Sequence, residues 1–296
     1  MDQNTLAKRA SLLHLNSLAI ADGMKSGSFK SLYRGQGVEF SGVREYLRGD
    51  DVRAIDWNVT ARMCKPYVQL FEEERELYVF LIIDASLSMS TGSTRRSRLS
   101  LALECASLLS LAAMHNSSPV GAAVFDSGIR FLCEPKAGKN QTFMLLSKFD
   151  ALESQSAEEE SAKGSALDGA LQSAGKLLKK KSLVMVFSDF RTAGWVTPLA
   201  QLCQKHDVVS VRITDPSDEK LPEVGTIPFR DSETGEQARL PTSTPSFARA
   251  WSESNSRHID LWQKDCLRHG SIPLILSTEQ DAATELTKFF ASRAPR

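Results

Sequence analysis

The sequence lacks several features that would assign it to a familiar class of protein. Its 296 residues carry 36 basic and 36 acidic side chains, so no net charge favours a nucleic acid or an anionic membrane as the main partner. No uninterrupted apolar stretch approaches the roughly 20 residues that span a bilayer. The first residues, Met1-Asp2-Gln3-Asn4, show no charged segment followed by an apolar one, so we expect no secretory signal.

Cysteine is also sparse. The five cysteines are scattered, form no Cys-x-x-Cys pair and lie at no zinc spacing from a histidine. Such thiols are typical of a reducing compartment, and we expect a cytoplasmic protein. The chain contains neither a Gly-x-x-x-x-Gly-Lys-Ser/Thr phosphate loop nor a Gly-x-Ser-x-Gly nucleophile elbow, which excludes the enzymes built on those motifs.

Apolar runs that alternate with helical segments make up most of the chain. Residues 77–83 and 182–188 are continuous apolar runs, typical of strands buried on both faces. Strands that alternate with helices predict an α/β fold, with a mostly parallel sheet and helices on both faces. Residues 120–125 and 129–133 read as a β-hairpin, with Asp126 as a turn residue.

Oxygen-bearing side chains follow the first of these strands directly: Asp84, Ser86 and Ser88. In an open α/β sheet, ligands bind outside the carboxyl ends of the strands. One carboxylate and two hydroxyls suit a hard cation such as Mg²⁺, and Mn²⁺ or Ca²⁺ would accept the same donors. Taken alone, however, the pattern also suits an ordinary turn or helix N-cap.

Two further segments strengthen the metal interpretation through a resemblance. The Asp-x-Ser-x-Ser pattern resembles the first motif of the metal-ion-dependent adhesion site of von Willebrand factor A domains. The loop at Ser165 is similar to the second motif, with Ser in place of Thr. The strand end at Asp189 is similar to the third, with Phe190 in place of Gly. The resemblance implies one antiparallel edge strand in the sheet and a divalent cation that recruits an acidic side chain of a protein partner. The implied ligands are Asp84, Ser86, Ser88, Ser165 and Asp189.

Arginine and aspartate alternate with aromatic and aliphatic residues between residues 37 and 62. This mixture predicts ion pairs with partly buried aromatics between them. We favour a structural role, in which the pairs fasten the N-terminal region to the main domain. The alternative is a recognition surface for a partner, formed by Arg44, Asp50, Asp51, Arg53, Asp56, Trp57 and Arg62.

The same segment resembles the signature of the bacterial "domain of unknown function 58" family, in which it precedes a von Willebrand A-like domain. The matching residues are Phe40, Arg44, Tyr46, Gly49, Asp50, Asp51, Arg53, Ile55, Asp56, Trp57, Ala61 and Arg62. We therefore expect an N-terminal segment 1–66, which begins with an amphipathic helix over 5–20, and a von Willebrand A-like domain 67–296. The resemblance implies a partnership with a MoxR-type AAA+ ATPase in chaperone-like assembly or maturation of a protein complex.

Two classes of function remain open at this stage. The favoured one is a non-enzymatic, metal-dependent adaptor. The alternative is a phosphatase-like, metal-dependent hydrolase with Asp84 as nucleophile, although that chemistry wants a second Asp two residues on, where Ser86 stands. Three arginines near the candidate site, Arg95, Arg96 and Arg98, are expected to be solvated charges at the start of the next helix.

Overall fold

The computed structural model describes residues 16–24, 39–72, 76–94, 96–155, 166–230 and 237–293. The chain forms two compact units, one of residues 30–76 and one of residues 1–29 with 77–296. The strands are β1 (Glu39–Glu45), β2 (Tyr67–Glu72), β3 (Tyr78–Asp84), β4 (Val120–Phe125), β5 (Ile129–Lys136), β6 (Ser182–Ser188), β7 (Asp207–Thr214), β8 (Thr226–Arg230), β9 (Gln237–Pro241) and β10 (Ile272–Ser277). The helices are α1 (16–24), α2 (Trp57–Met63), α3 (Leu87–Ser90), α4 (Arg98–His115), α5 (Lys139–Gln155), α6 (Leu167–Leu177), α7 (Val196–Cys203), α8 (Pro216–Glu219), α9 (Pro245–Arg268) and α10 (Ala282–Ala291).

The larger unit is built on a six-stranded sheet in the order β10-β7-β6-β3-β4-β5. Every neighbouring pair is parallel except β4 and β5, so the hairpin supplies an antiparallel edge strand. The sequence prediction of a mostly parallel sheet with one antiparallel edge is confirmed. This is a von Willebrand A-like architecture.

Strand β3 lies in the middle of the sheet, and every residue from Val79 to Asp84 is therefore buried. Successive side chains of a strand point to opposite faces. Val79, Leu81 and Ile83 enter one apolar core, whereas Phe80 and Ile82 enter the other. The first core is closed by α1, α4, α5 and α10, and the second by α6, α7 and α9. Helices therefore cover both faces of the sheet, as predicted.

Helix α1 belongs to the larger unit. Its residues Ile20, Ala21 and Met24 are buried in the first core, and Asn116 donates a side-chain hydrogen bond to the carbonyl of Ala21 at 2.8 Å. Of the helix predicted over 5–20, residues 5–15 lie outside the described ones. Near the C-terminus, strands β8 and β9 form an antiparallel pair.

The smaller unit is an antiparallel pair of strands with a short helix. Strands β1 and β2 pair in a register that sets Glu45 opposite Tyr67. The sequence predicts the boundary between the N-terminal segment and the main domain at residue 66, before β2. In the structure, β2 belongs with β1, and the unit extends to residue 76. The sequence shows a short strand after residue 65, but the partner of that strand depends on pairing across more than 20 residues.

Candidate metal centre

Asp84 is the last residue of β3 and is 1% exposed. One carboxylate oxygen accepts the backbone N–H of Ser86 at 2.9 Å, and the other accepts the hydroxyl of Ser188 at 2.6 Å. Ser188 ends the neighbouring parallel strand β6. The carboxylate is therefore held at the carboxyl edge of the sheet, between two central strands.

The two predicted hydroxyl ligands come next in the chain. Ser86 is the N-cap residue of the short helix α3, and Ser88 lies within that helix. Both side chains are buried, and their hydroxyl oxygens are 3.1 Å apart. The tight turn after β3 thus brings Asp84, Ser86 and Ser88 to one place.

Asp189 follows β6 and is 4% exposed. Its Oδ1 accepts the backbone N–H of Arg191 at 3.2 Å. Its Oδ2 is buried and accepts no hydrogen bond from the part of the chain that the structure describes; the Nε of Arg191 lies 3.9 Å away. A buried carboxylate oxygen without a hydrogen bond is costly unless a cation completes its surroundings.

The two buried carboxylates interact electrostatically. Burial and the nearby charge of Asp189 raise the pKa of Asp84 from 3.8 to about 7, against the opposing hydrogen bonds from Ser188 and Ser86. Like charges that share a buried site disfavour ionisation, and a divalent cation between them would remove that repulsion. Two carboxylates and two hydroxyls match the hard oxygen donors that Mg²⁺ prefers, so these residues fit such an ion.

The hydroxyls are essential to that fit. Among the described residues, no group of three or more His, Cys, Asp and Glu side chains is placed to hold a metal ion. The fifth predicted ligand, Ser165, lies outside the described residues. The next residue, Ala166, donates its backbone N–H to the carbonyl of Asp126 at 2.6 Å. Asp126 directly follows β4, the neighbour of β3, so the chain resumes at the same edge of the sheet.

Asp126 itself has a structural role. It is 4% exposed, accepts the backbone N–H of Gly128 at 3.1 Å and pairs with Arg130. These contacts close the turn of the β4–β5 hairpin. Its interpretation as a turn residue is confirmed.

Phe190 explains how a large side chain replaces the glycine of the third motif. Its φ is +52°, in the left-handed region that favours glycine. The side chain is 6% exposed and lies against Trp195 and Trp262, with ring centroids 5.3 and 5.4 Å away. The loop after Asp189 therefore keeps a glycine-like backbone, and aromatic packing offsets the strain.

A buried ionic network beside these ligands was not anticipated from the sequence. Arg98, expected to be a solvated charge, is 5% exposed and pairs with Asp218 at 2.5 Å. The same Asp218 oxygen accepts a hydrogen bond from Arg191 at 2.7 Å. The expectation for Arg98 was wrong because its partner comes 120 residues later in the chain. Arg96 also contacts protein: it pairs with Glu104 at 2.7 Å. Arg95 lies outside the described residues.

The turn that carries Asp218 also forms hydrogen bonds with the loop after α3. Asp215 accepts both the backbone N–H of Ser93 at 2.9 Å and its hydroxyl at 2.5 Å, as well as the hydroxyl of Thr278 at 3.0 Å. Although burial opposes ionisation, hydrogen bonds from Ser217 and Ser93 hold the pKa of Asp215 well below its usual value. In the sequence, the pair Asp215-Pro216 indicates the start of a helix. It does not indicate the distant residues that Asp215 contacts, Ser93 and Thr278.

The aspartates of the smaller unit make local structural contacts. Asp50 forms a two-pronged ion pair with Arg44, at 2.7 and 2.8 Å. Asp51 accepts the backbone N–H of Arg53. Asp56 caps α2 by accepting the N–H groups of Asn58 and Val59, and it also accepts the side chain of Gln69 at 3.0 Å. These contacts within the smaller unit involve the side chains of Arg44, Asp50, Asp51, Asp56 and Gln69.

The remaining residues of the predicted recognition surface are exposed. Trp57 is 69% exposed, in contrast to the partly buried aromatics that the sequence suggested. Arg53 and Arg62 are exposed as well. The side chains that make structural contacts and the side chains that are exposed are thus different residues of one segment. Whether this surface binds a partner stays a prediction.

A cavity of about 480 Å³ lies between α8 and α9. Its lining is mainly apolar and includes Pro216, Leu221, Phe247 and Trp251. None of the predicted metal ligands that the structure describes contributes to it. Among the helices that the structure describes, none is both long and apolar enough to cross a membrane.

Comparison with known families gives one match that covers most of the chain. The model described as "Protein of unknown function DUF58" matches residues 42–260. An uncharacterized protein of Mycobacterium tuberculosis and one of Mycobacterium bovis are each 27% identical over 297 residues, which covers 99% of this chain and 91% of each relative.

Solved structures with a similar fold include a bacterial hypothetical protein and a VWA domain. The conserved hypothetical protein BatB from Bacteroides thetaiotaomicron has a TM-score of 0.44 at 16% identity, covering 74% of this chain and 98% of that chain. The SpRpn10 VWA domain has a TM-score of 0.38 at 9% identity, covering 73% and 95%. These likenesses concern the fold alone.

Proposed function

The chain belongs to the family described as "Protein of unknown function DUF58", and on that premise we propose that it is a non-enzymatic adaptor that binds a partner protein through a divalent cation. The cation, Mg²⁺ in this proposal, is held by Asp84, Ser86, Ser88, Ser165 and Asp189. When bound, it supplies a coordination position for an acidic side chain of the partner.

The observation that carries this proposal is the pair of buried carboxylates, Asp84 and Asp189. They lie at the carboxyl ends of adjacent parallel strands, and one oxygen of Asp189 is buried without a hydrogen bond from any described residue. Desolvated carboxylates that repel each other destabilise a fold unless something compensates them. A cation would provide that compensation, and the hydroxyls of Ser86 and Ser88, 3.1 Å apart, would serve as further oxygen donors.

The hydrolase alternative receives less support. A phosphatase mechanism with Asp84 as nucleophile needs a general acid within reach. The position two residues on holds Ser86, whose hydroxyl oxygen lies 3.1 Å from that of Ser88. Neither hydroxyl can act as a general acid near neutral pH.

The partner we propose is a MoxR-type AAA+ ATPase, which the resemblance to the "domain of unknown function 58" family implies. The work of the pair would be chaperone-like assembly or maturation of a protein complex. In this proposal, the chain contributes partner binding, because the carboxyl edge of its sheet positions the metal-ligating residues. The ATPase supplies the energy for assembly or maturation.

Affinity capture tests this function. Tagged wild type and Asp84→Ala are each incubated with lysate of the source organism, in Mg²⁺ and in EDTA, and captured proteins are identified by mass spectrometry. We expect a MoxR-type ATPase with the wild type in Mg²⁺ only. Equal capture in all four conditions would move the interface away from the metal site, towards the Arg44–Arg62 segment. Turnover of a phosphate ester that depends on Asp84 would support the hydrolase instead.

A further inference from the structure

Two arginines share one carboxylate oxygen beside the candidate metal centre. The Nη2 atoms of Arg98 and Arg191 lie 2.5 and 2.7 Å from Oδ1 of Asp218. The other oxygen of Asp218 accepts the backbone N–H of Asp215 at 2.9 Å. Both oxygens of the Asp218 carboxylate therefore accept hydrogen bonds, and the carboxylate holds both guanidinium groups in place.

Arg98 connects this carboxylate to the first metal motif. Its Nη1 lies 3.2 Å from the carbonyl oxygen of Ser88 and 3.0 Å from the hydroxyl of Thr91. Arg98 is 5% exposed, so its contacts are made within the protein. Its position between Asp218 and the Ser88 turn makes it a bridge from α8 to the metal loop.

Arg191 faces solvent instead. Its side chain is 42% exposed, and its Nε lies 3.9 Å from Oδ2 of Asp189. Its Nη1 makes no hydrogen bond to any residue that the structure describes. Asp218 thus fixes Nη2 of a planar, permanently charged guanidinium whose Nε lies near a predicted metal ligand, and Nη1 remains available as a donor.

Three guanidiniums lie on this side of the site. Those of Arg98 and Arg191 share the single charge of Asp218, and a third, that of Arg212, is buried close enough to interact with Arg191, Asp189 and Asp218. With a divalent cation bound, the positive charges would outnumber those of Asp84, Asp189 and Asp218, which favours an anion. A guanidinium binds a carboxylate through paired, charge-assisted hydrogen bonds, which an ammonium cannot reproduce. A carboxylate that approaches the metal site would meet this donor.

We propose that Arg191 determines specificity at the metal site by donating hydrogen bonds to the acidic side chain of the partner. Asp218 and Arg98 are positioning residues that hold Arg191 and the Ser88 turn in register. This inference rests on the proposed function, because it assumes that the site recruits a carboxylate. It adds a hydrogen-bond donor of the protein, Arg191, which recognises the shape and charge of the partner's carboxylate.

The test separates cation binding from carboxylate binding. Mn²⁺ is titrated into wild type, Arg191→Gln and Arg191→Lys, and the free ion is followed by electron paramagnetic resonance. The peptide acetyl-Gly-Glu-Gly-amide is then titrated into each Mn²⁺-loaded protein, and water proton relaxation reports its binding. Arg268→Gln, an exposed arginine on α9, is the matched control, and the Gln peptide is the control ligand.

We expect Arg191→Gln to bind Mn²⁺ as tightly as the wild type or more tightly, because it removes a positive charge near Asp189. Its affinity for the Glu peptide should fall about tenfold, in line with the loss of a charge-assisted hydrogen bond. Arg191→Lys should retain only part of that affinity. Arg268→Gln should match the wild type, and the Gln peptide should not bind.

Each contrary result has a distinct meaning. Unchanged peptide affinity in Arg191→Gln, with normal Mn²⁺ binding, would overturn this inference and leave the metal site standing. An equal loss in Arg268→Gln would also overturn it, since the effect would be one of general charge. A wild type that binds no Mn²⁺ would overturn the proposed metal site, and this inference with it.

Discussion

Asp84 and Asp189 lie at the carboxyl ends of two adjacent parallel strands, and each carboxylate is at least 95% buried. Burial and the charge of Asp189 together raise the pKa of Asp84 to about 7. Buried carboxylates that repel each other destabilise a fold unless a cation or a proton compensates them. The pair therefore links stability, pH and metal binding in ways that can be measured.

The stability of the metal-free protein should depend on pH. Because the folded-state pKa of Asp84 is raised from 3.8 to about 7, the folded chain binds the proton more tightly than the unfolded chain. The stabilisation is complete below about pH 4 and is lost as the pH rises to about 7. The difference corresponds to about 4 kcal/mol. About 2.6 kcal/mol of this is lost between pH 5 and pH 8. Urea unfolding in EDTA at these two pH values measures that loss, after subtraction of the same difference in Asp84→Asn.

Asp84→Asn should stabilise the metal-free protein at pH 8, because it removes a buried charge that Asp189 repels. The expected gain is a few kcal/mol at most. Urea unfolding in EDTA checks it, with the exposed Asp260→Asn on α9 as control. A loss of stability in Asp84→Asn would mean that the hydrogen bonds to Ser86 and Ser188 outweigh the repulsion.

Asp218→Asn should destabilise the fold by about 3 kcal/mol, because it leaves the buried Arg98 without its ionic partner. Thermal unfolding measures the loss. The neighbouring Glu219→Gln is the matched control, since Glu219 is exposed, and it should change stability by no more than about 0.5 kcal/mol. Equal effects of the two substitutions would show that the Arg98–Asp218 pair has no special weight.

Phe190 permits a test of backbone strain. Phe190→Ala should lower stability by about 3–5 kcal/mol, because it removes a side chain packed against Trp195 and Trp262. Phe190→Gly should be about 1–2 kcal/mol more stable than Phe190→Ala, since glycine adopts a φ of +52° without strain. Unfolding in urea compares the two variants, and the reverse order would rule out strain at this position.

Trp57→Ser should leave the stability of the chain almost unchanged, within about 0.5 kcal/mol, because Trp57 is 69% exposed. Asp56→Ala, by contrast, should cost about 1 kcal/mol through the lost cap of α2. Thermal unfolding distinguishes the two. A large loss in Trp57→Ser would mean that this side chain packs against protein, and it would remove Trp57 from the predicted recognition surface.

The parts of the fold that depend on local pattern could be predicted from the sequence. The apolar runs that end at Asp84 and Ser188 indicated two buried strands, and the carboxylate after each indicated the edge where a site would lie. The parts that depend on distant pairing could not. Arg98 meets Asp218 across 120 residues, and no local pattern distinguishes that arginine from a solvated one.

The backbone of the third motif was also beyond local prediction. Phe190 stands where the motif has glycine, yet it adopts the glycine-like conformation. Its compensation comes from Trp262 on α9, 72 positions away in the chain. Tertiary packing thus decided a feature that residue type alone would have assigned otherwise.

The most direct test of the account is a count of bound Mg²⁺ by equilibrium dialysis at pH 8, where Asp84 is largely ionised. Wild type, Asp84→Asn and Asp260→Asn would be dialysed together. We predict about one saturable Mg²⁺ per chain for the wild type and for Asp260→Asn, and none for Asp84→Asn. A wild type that binds no Mg²⁺, or an Asp84→Asn variant that binds it equally well, would contradict the central claim that these carboxylates hold a cation.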